Sequence, residues 1–228
     1  MWNVKSRQLA WTLACSTRRC LKLDVFTTIP RAIVYLHYYF KRNPSPDYQF
    51  VQVLVGAISM SCKCDETWRS ISDIRTVILK GSEFLISRRG ADITSILGRM
   101  DLSINYNYNE DLEAIRRIEI EIYEALDYDI DKEQPFKYIS EHYFAYITDL
   151  SQEARNQIEI GISMRIHMLF TLDTYLDYPC ECVAALAVNA MDNLPKETKD
   201  WLSKLKETNN EDLTKLFNDI RSITPHKP

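Results

Sequence analysis

Apolar residues return every three or four positions along almost the whole chain, and no other feature narrows the fold as much. Ile115, Ile118, Ile122 and Leu126 form one series, and Ile158, Ile162, Ile166 and Leu169 form another. This is the period of a helix with one buried side, whereas a half-buried strand alternates residue by residue. Only 5 glycines occur in 228 residues, and strong strand-like runs are few. The expectation is an all-α chain. With 46% hydrophobic residues it can bury one substantial core or two small adjoining ones.

The periodic segments predict helices over 4–21, 28–42, 47–62, 66–79 and 110–126, then over 135–146, 151–174, 180–191, 196–206 and 211–220. Pro44 and Pro46 interrupt the chain between the second and third of these, since a helix interior needs the amide that proline lacks. Ser151 is placed to cap the helix that follows it, and Pro179 suits a first turn. Residues 80–109, with Gly81, Gly90 and Gly98, read as a long surface connection holding one short helical piece at 93–100. The polar segment 127–134 ends at Pro135 and reads as a linker between two five-helix units, 1–130 and 131–228.

Composition excludes several classes of function. A net charge of −4 gives no basic footprint, so no direct nucleic-acid partner is expected. No apolar run approaches the roughly 18 residues of a membrane helix, so no membrane partner is expected either. Lys5, Arg7, Arg18, Arg19 and Lys22 precede any acid, as in an organellar transit peptide, but Leu9, Leu13 and Leu21 with Trp2 and Trp11 read as an ordinary packed first helix. The cysteine pairs Cys62/Cys64 and Cys180/Cys182 are two residues apart, which on a helix turns the thiols to different sides, so no metal site is expected. Paired acids such as Glu119/Glu121 diverge for the same reason. There is no glycine-rich phosphate loop or nucleophile motif, so no catalytic residue and no cofactor is assigned.

One segment asks for another explanation. Residues 54–74, LVGAISMSCKCDETWRSISDI, run from a small, apolar helix into a single lysine, Lys63, with Asp65 and Glu66 just beyond it. Downstream, residues 111–130, DLEAIRRIEIEIYEALDYDI, carry Glu119 and end in Leu126-Asp127-Tyr128-Asp129-Ile130, with Pro135-Phe136 following. These two stretches, in this order, resemble a cyclin box: a lysine at the end of a buried helix, a glutamate on a later helix, a closing signature, and a proline opening the second repeat. Residues 32–40, AIVYLHYYF, are similar to an earlier helix of the same family, with Tyr38 where the family carries an arginine.

The resemblance implies two tandem five-helix cyclin folds and a regulatory subunit that binds and activates a cyclin-dependent protein kinase, with no catalysis of its own. It assigns Lys63 and Glu119 to hydrogen bonds with the kinase backbone beside its regulatory helix. It places Cys64, Glu66, Tyr123, Tyr128 and Ile130 around them as kinase-binding residues. Asp200-Trp201-Leu202, Asp212-Leu213 and the run from Leu216 to Ile220 look like the end of the second repeat in transcriptional cyclins of the C, H, K, L and T group. A nuclear role with RNA polymerase II is the expectation that follows. A cell-cycle cyclin and a cyclin-fold initiation factor without a kinase are the alternatives. An ordinary salt bridge for Lys63 and Glu119, and plain packing for Ile130, stand beside these assignments.

Overall fold

The computed structural model describes residues 2–24, 26–45, 47–89, 96, 108–147, 151–189, 191 and 194–223. Every regular element among them is helical, and the protein is all-α. The chain divides into two compact units, Met1–Lys132 and Glu133–Pro228.

The first unit holds α1 (Val4–Leu21), α2 (Thr28–Arg42), α3 (Phe50–Cys64), α4 (Ile71–Arg89) and α5 (Tyr108–Ala125). Asn3 starts α1: its Oδ1 accepts from the Ser6 amide at 3.0 Å while Ser6 Oγ accepts from the Asn3 amide at 2.8 Å, so two amides without intrahelical partners are satisfied together. The middle of the unit is α3. Residues 50, 51 and 53–62 are all buried, and a helix apolar on every side belongs inside a bundle. Around it pack α2, with Ile29, Ile33, Leu36 and Tyr39 inward, α4, with Ile74 and Ile78, and α5, with Ile115, Ile118 and Ile122.

Two glycines mark where helices come closest. A Cβ on Gly56 of α3 would lie 2.9 Å from Cγ2 of Ile118 on α5, and one on Gly81 of α4 would lie 3.2 Å from Cδ2 of Leu13 on α1. A buried carboxylate ties three helices: Asp111 of α5 accepts from Gln52 of α3 at 2.7 Å and pairs with Arg75 of α4. Leaving that acid unpaired would cost several kcal/mol, so it specifies the arrangement.

The second unit holds α6 (Pro135–His142), a 3₁₀ turn (Phe144–Tyr146), α7 (Gln152–Phe170), a second 3₁₀ turn (Tyr175–Asp177), α8 (Cys180–Asn189), α9 (Lys196–Thr208) and α10 (Asn210–Ile223). Here α8 is the buried helix, through Cys182, Val183, Ala184, Ala185, Ala187 and Val188, and α6, α7, α9 and α10 all contact it. Ser151 caps α7 by accepting from the Ala154 amide at 3.3 Å. Asp219 of α10 accepts from Thr174 at 2.9 Å and from Tyr178 at 2.5 Å.

Several expected boundaries are corrected. Residues 47–49 are not helical, and α3 begins at Phe50 because Gln49 and Gln52 form the reciprocal cap that starts it. Residues 66–70 are not helical either, and α4 starts at Ile71, with Ser70 Oγ accepting from the Asp73 amide at 3.0 Å. Residues 80–89 continue α4 instead of forming a loop, since Gly81 serves a close helix contact there and not a break. The expected helical piece at 93–100 falls, apart from residue 96, outside the described residues. Residues 143–146 leave α6 as a 3₁₀ turn, and α7 ends at Phe170, four residues short of the expected 174.

Candidate partner-binding site

Lys63 lies in the last turn of α3, and Glu119 on α5 faces it. Lys63 Nζ donates to both Glu119 carboxylate oxygens, at 2.7 and 2.6 Å. The lysine side chain is 41% exposed and the glutamate 14%, so the pair opens to solvent along one edge. The Gly56 contact brings the two helices near enough for this bridge. A pair so placed contributes about 0–1 kcal/mol to folding.

Both helices end in the same way just beyond the pair. At the end of α3 the Thr67 amide donates to Cys62 O at 2.9 Å and the Glu66 amide to Lys63 O at 3.3 Å, with Glu66 at φ 54°. At the end of α5 the Tyr128 amide donates to Tyr123 O and the Asp127 amide to Glu124 O, both at 3.0 Å, with Asp127 at φ 53° and Tyr128 at φ 62°. This left-handed closure favours glycine. Here side chains that reach solvent occupy it. Glu66 therefore sits in an exposed turn and not in the first turn of α4, which corrects the expectation; Asp73 is the acid in that first turn. Only its backbone amide, through the bond to Lys63 O, joins Glu66 to the other six candidate residues among the described bonds.

The α5 closure also positions aromatic rings. Tyr123 and Tyr128 meet edge to face with centroids 5.1 Å apart, and they are 40% and 64% exposed. Ile120, one residue after Glu119, is 60% exposed. Large apolar groups in solvent beside a charged pair form a surface that can bury area against another protein.

Behind that edge lies a network that the sequence reading missed. Tyr35 OH donates to the Ile130 carbonyl at 2.7 Å and lies 3.3 Å from Cys64 Sγ. Arg31, one turn earlier on α2, donates to the same carbonyl at 3.0 Å, approaches Asp131 at 3.3 Å and pairs with Asp65 at 3.1 Å. Burial, with the Cys64 thiol beside it, pushes the Tyr35 hydroxyl well above the usual range, so it acts as a donor at neutral pH. Cys64 and Ile130 are thus joined through Tyr35. Ile130 is half-buried, and its carbonyl accepts from both Arg31 and Tyr35. The visible signal was Arg31 and Tyr35 at a spacing of four on α2, which puts both on one helix face.

The remaining reactive side chains are scattered. Among the described residues no three His, Cys, Asp or Glu side chains are grouped to hold a metal ion. Burial pushes the thiols of Cys15, Cys62, Cys180 and Cys182 up to about 11, so they stay protonated at neutral pH. No described helix is long and apolar enough to cross a membrane. No protein-family model matches this chain, and no curated protein matches it.

Proposed function

We propose that the chain is a cyclin-type regulatory subunit, which binds a cyclin-dependent protein kinase and holds it in its active conformation. The Lys63–Glu119 pair carries the reading: a lysine at the end of the central buried helix, bonded to a glutamate on the last helix of the same unit, at an exposed edge flanked by Tyr123 and Tyr128. The pair's small share in stability leaves both groups available to exchange partners. Around it, Cys64, Glu66 and Ile130 complete the contact. Binding of this kind activates by differential contact with one kinase conformation, and the chain supplies no phosphotransfer chemistry itself. The likeness of residues 200–220 to the end of the second repeat in transcriptional cyclins supports a nuclear complex acting in RNA polymerase II transcription.

Affinity purification of the full chain identifies the kinase, and reconstitution tests the reading. The chain alone should transfer no phosphate, and the pair of proteins should. Lys63→Ala and Glu119→Ala should each weaken the complex by about 2 kcal/mol or more, roughly thirtyfold in Kd, because each strands a polar partner at the centre of a contact. Stability in the free chain should fall by less than about 1 kcal/mol. Lys204→Ala, at an exposed position of α9, should change neither quantity. Wild-type affinity in both interface variants would remove the site.

A further inference from the structure

The second unit carries an open trough of about 340 Å³ between α8, α9 and α10. Its apolar lining comes from Leu186 of α8, Leu202 of α9, and Leu213 and Phe217 of α10. Phe217 is 46% exposed, although the helix it belongs to is otherwise packed on its apolar side through Leu216. Cations stand along this trough. Lys206 lines it, and the Arg221 guanidinium lies over the Phe217 ring, 4.7 Å from its centroid. None of the described lining residues is acidic.

The chain carries a net charge of −4, and the helical positions of its acids account for a lining without them. Asn210, Leu213, Thr214, Phe217 and Arg221 follow one another at spacings of three and four, so they share one face of α10. Asp219 lies on the opposite side of that helix, where it accepts from Thr174 and Tyr178. On α9, Leu202 and Lys206 share a face, and at about 100° per residue Glu197, Asp200 and Glu207 fall away from it. Glu211 and Asp212, in the first turn of α10, fall about 100° or more from the face of Leu213 and Phe217, so the acids of both helices lie off the lining and leave an apolar floor with Lys206 and Arg221 beside it.

We propose that this trough docks an acidic amphipathic helix of a protein partner. The partner's apolar side chains would enter between Leu186, Leu202, Leu213 and Phe217, in the manner of a helix laid in a groove, with anchors at spacings of three and four. Its flanking carboxylates would pair with Lys206 and Arg221, which adds specificity and speeds encounter. The described residues contain no strand whose edge could extend a sheet with a bound peptide, so a helix is the form that fits. The proposal uses no residue of the Lys63 site and stands apart from the kinase reading.

The test is selection of peptides from a displayed random library on the immobilised full chain, followed by anisotropy titration of the best peptide. Enriched sequences should carry Leu, Ile or Phe at spacings of three and four, flanked by Asp or Glu. Thr214→Glu sets a carboxylate in the trough from an exposed position, and Lys206→Glu reverses its lining charge; each should weaken binding about tenfold or more, with circular dichroism unchanged. Lys204→Ala should bind as the parent does. No enrichment, enriched peptides without acids, or parental affinity in both trough variants would each overturn the proposal.

Discussion

Replacing Gly56 with alanine tests the contact that sets the distance between α3 and α5. The added Cβ would lie 2.9 Å from Ile118 Cγ2 and 3.5 Å from Ile118 Cβ. Relaxed carbon contacts lie at about 3.5–4.0 Å. The helices must part, or Ile118 must leave its rotamer, and such overpacking costs about 1–3 kcal/mol. Alanine also favours the helical state over glycine by about 1 kcal/mol, which offsets part of the strain. Gly56→Ala should therefore lose about 0–2 kcal/mol in the parent protein, the difference of those two figures. In an Ile118→Ala background Cγ2 is gone, and the same substitution should instead gain about 1 kcal/mol. Ile118 is fully buried, so its own truncation costs about 2–5 kcal/mol and makes the four proteins easy to rank. Urea denaturation followed by circular dichroism gives the cycle, with an expected coupling of about 1–3 kcal/mol. An equal effect of Gly56→Ala in both backgrounds would refute the argument that this contact is tight.

Two further outcomes concern buried charge. Asp111→Ala should destabilise the first unit by about 3–5 kcal/mol in the same denaturation assay, since it removes the buried carboxylate that Gln52 and Arg75 both engage; a loss below about 1 kcal/mol would mean the latch is solvated. Burial lowers the His167 imidazole from 6.5 to about 4, so the folded chain resists protonation there while the unfolded chain accepts it. The stability contributed by neutral His167 is complete above about pH 6.5 and is lost as pH falls toward 4, on the order of 1–3 kcal/mol. His167→Gln should flatten that part of the stability profile relative to the parent, and parallel profiles would contradict the assignment.

The helical class was legible because burial on one side leaves a periodic record in the sequence, and α3 because burial all round leaves a nearly continuous apolar run. Lys63 and Glu119 could be paired from sequence only through the resemblance; they are 56 residues apart, and no local rule joins them. The helix ends were less legible. Glu66 and Asp127 take a left-handed conformation that sequence assigns first to glycine, and the preference is overruled by backbone bonds that close α3 and α5. Gly81 misled in the opposite sense: a glycine inside a helix reads as a break, whereas here Leu13 of α1 occupies the space a side chain would need. Arg31 and Tyr35 show in the sequence as neighbours on one helix face, but what they bind does not, because their acceptor, the Ile130 carbonyl, is a backbone group 99 and 95 residues away.

The bridge between Lys63 and Glu119 is already closed in the free chain, and any protein that takes either group competes with it. Association then exchanges one charged contact for another, so the net electrostatic gain is a difference between two similar quantities. A poorly fitting partner would recover less than it displaces and would be rejected, while a well-placed backbone would gain two directed bonds at once. Ionic strength weakens the internal contact along with the external one. Affinity should accordingly vary less steeply with salt than the number of charges at the edge would lead one to calculate.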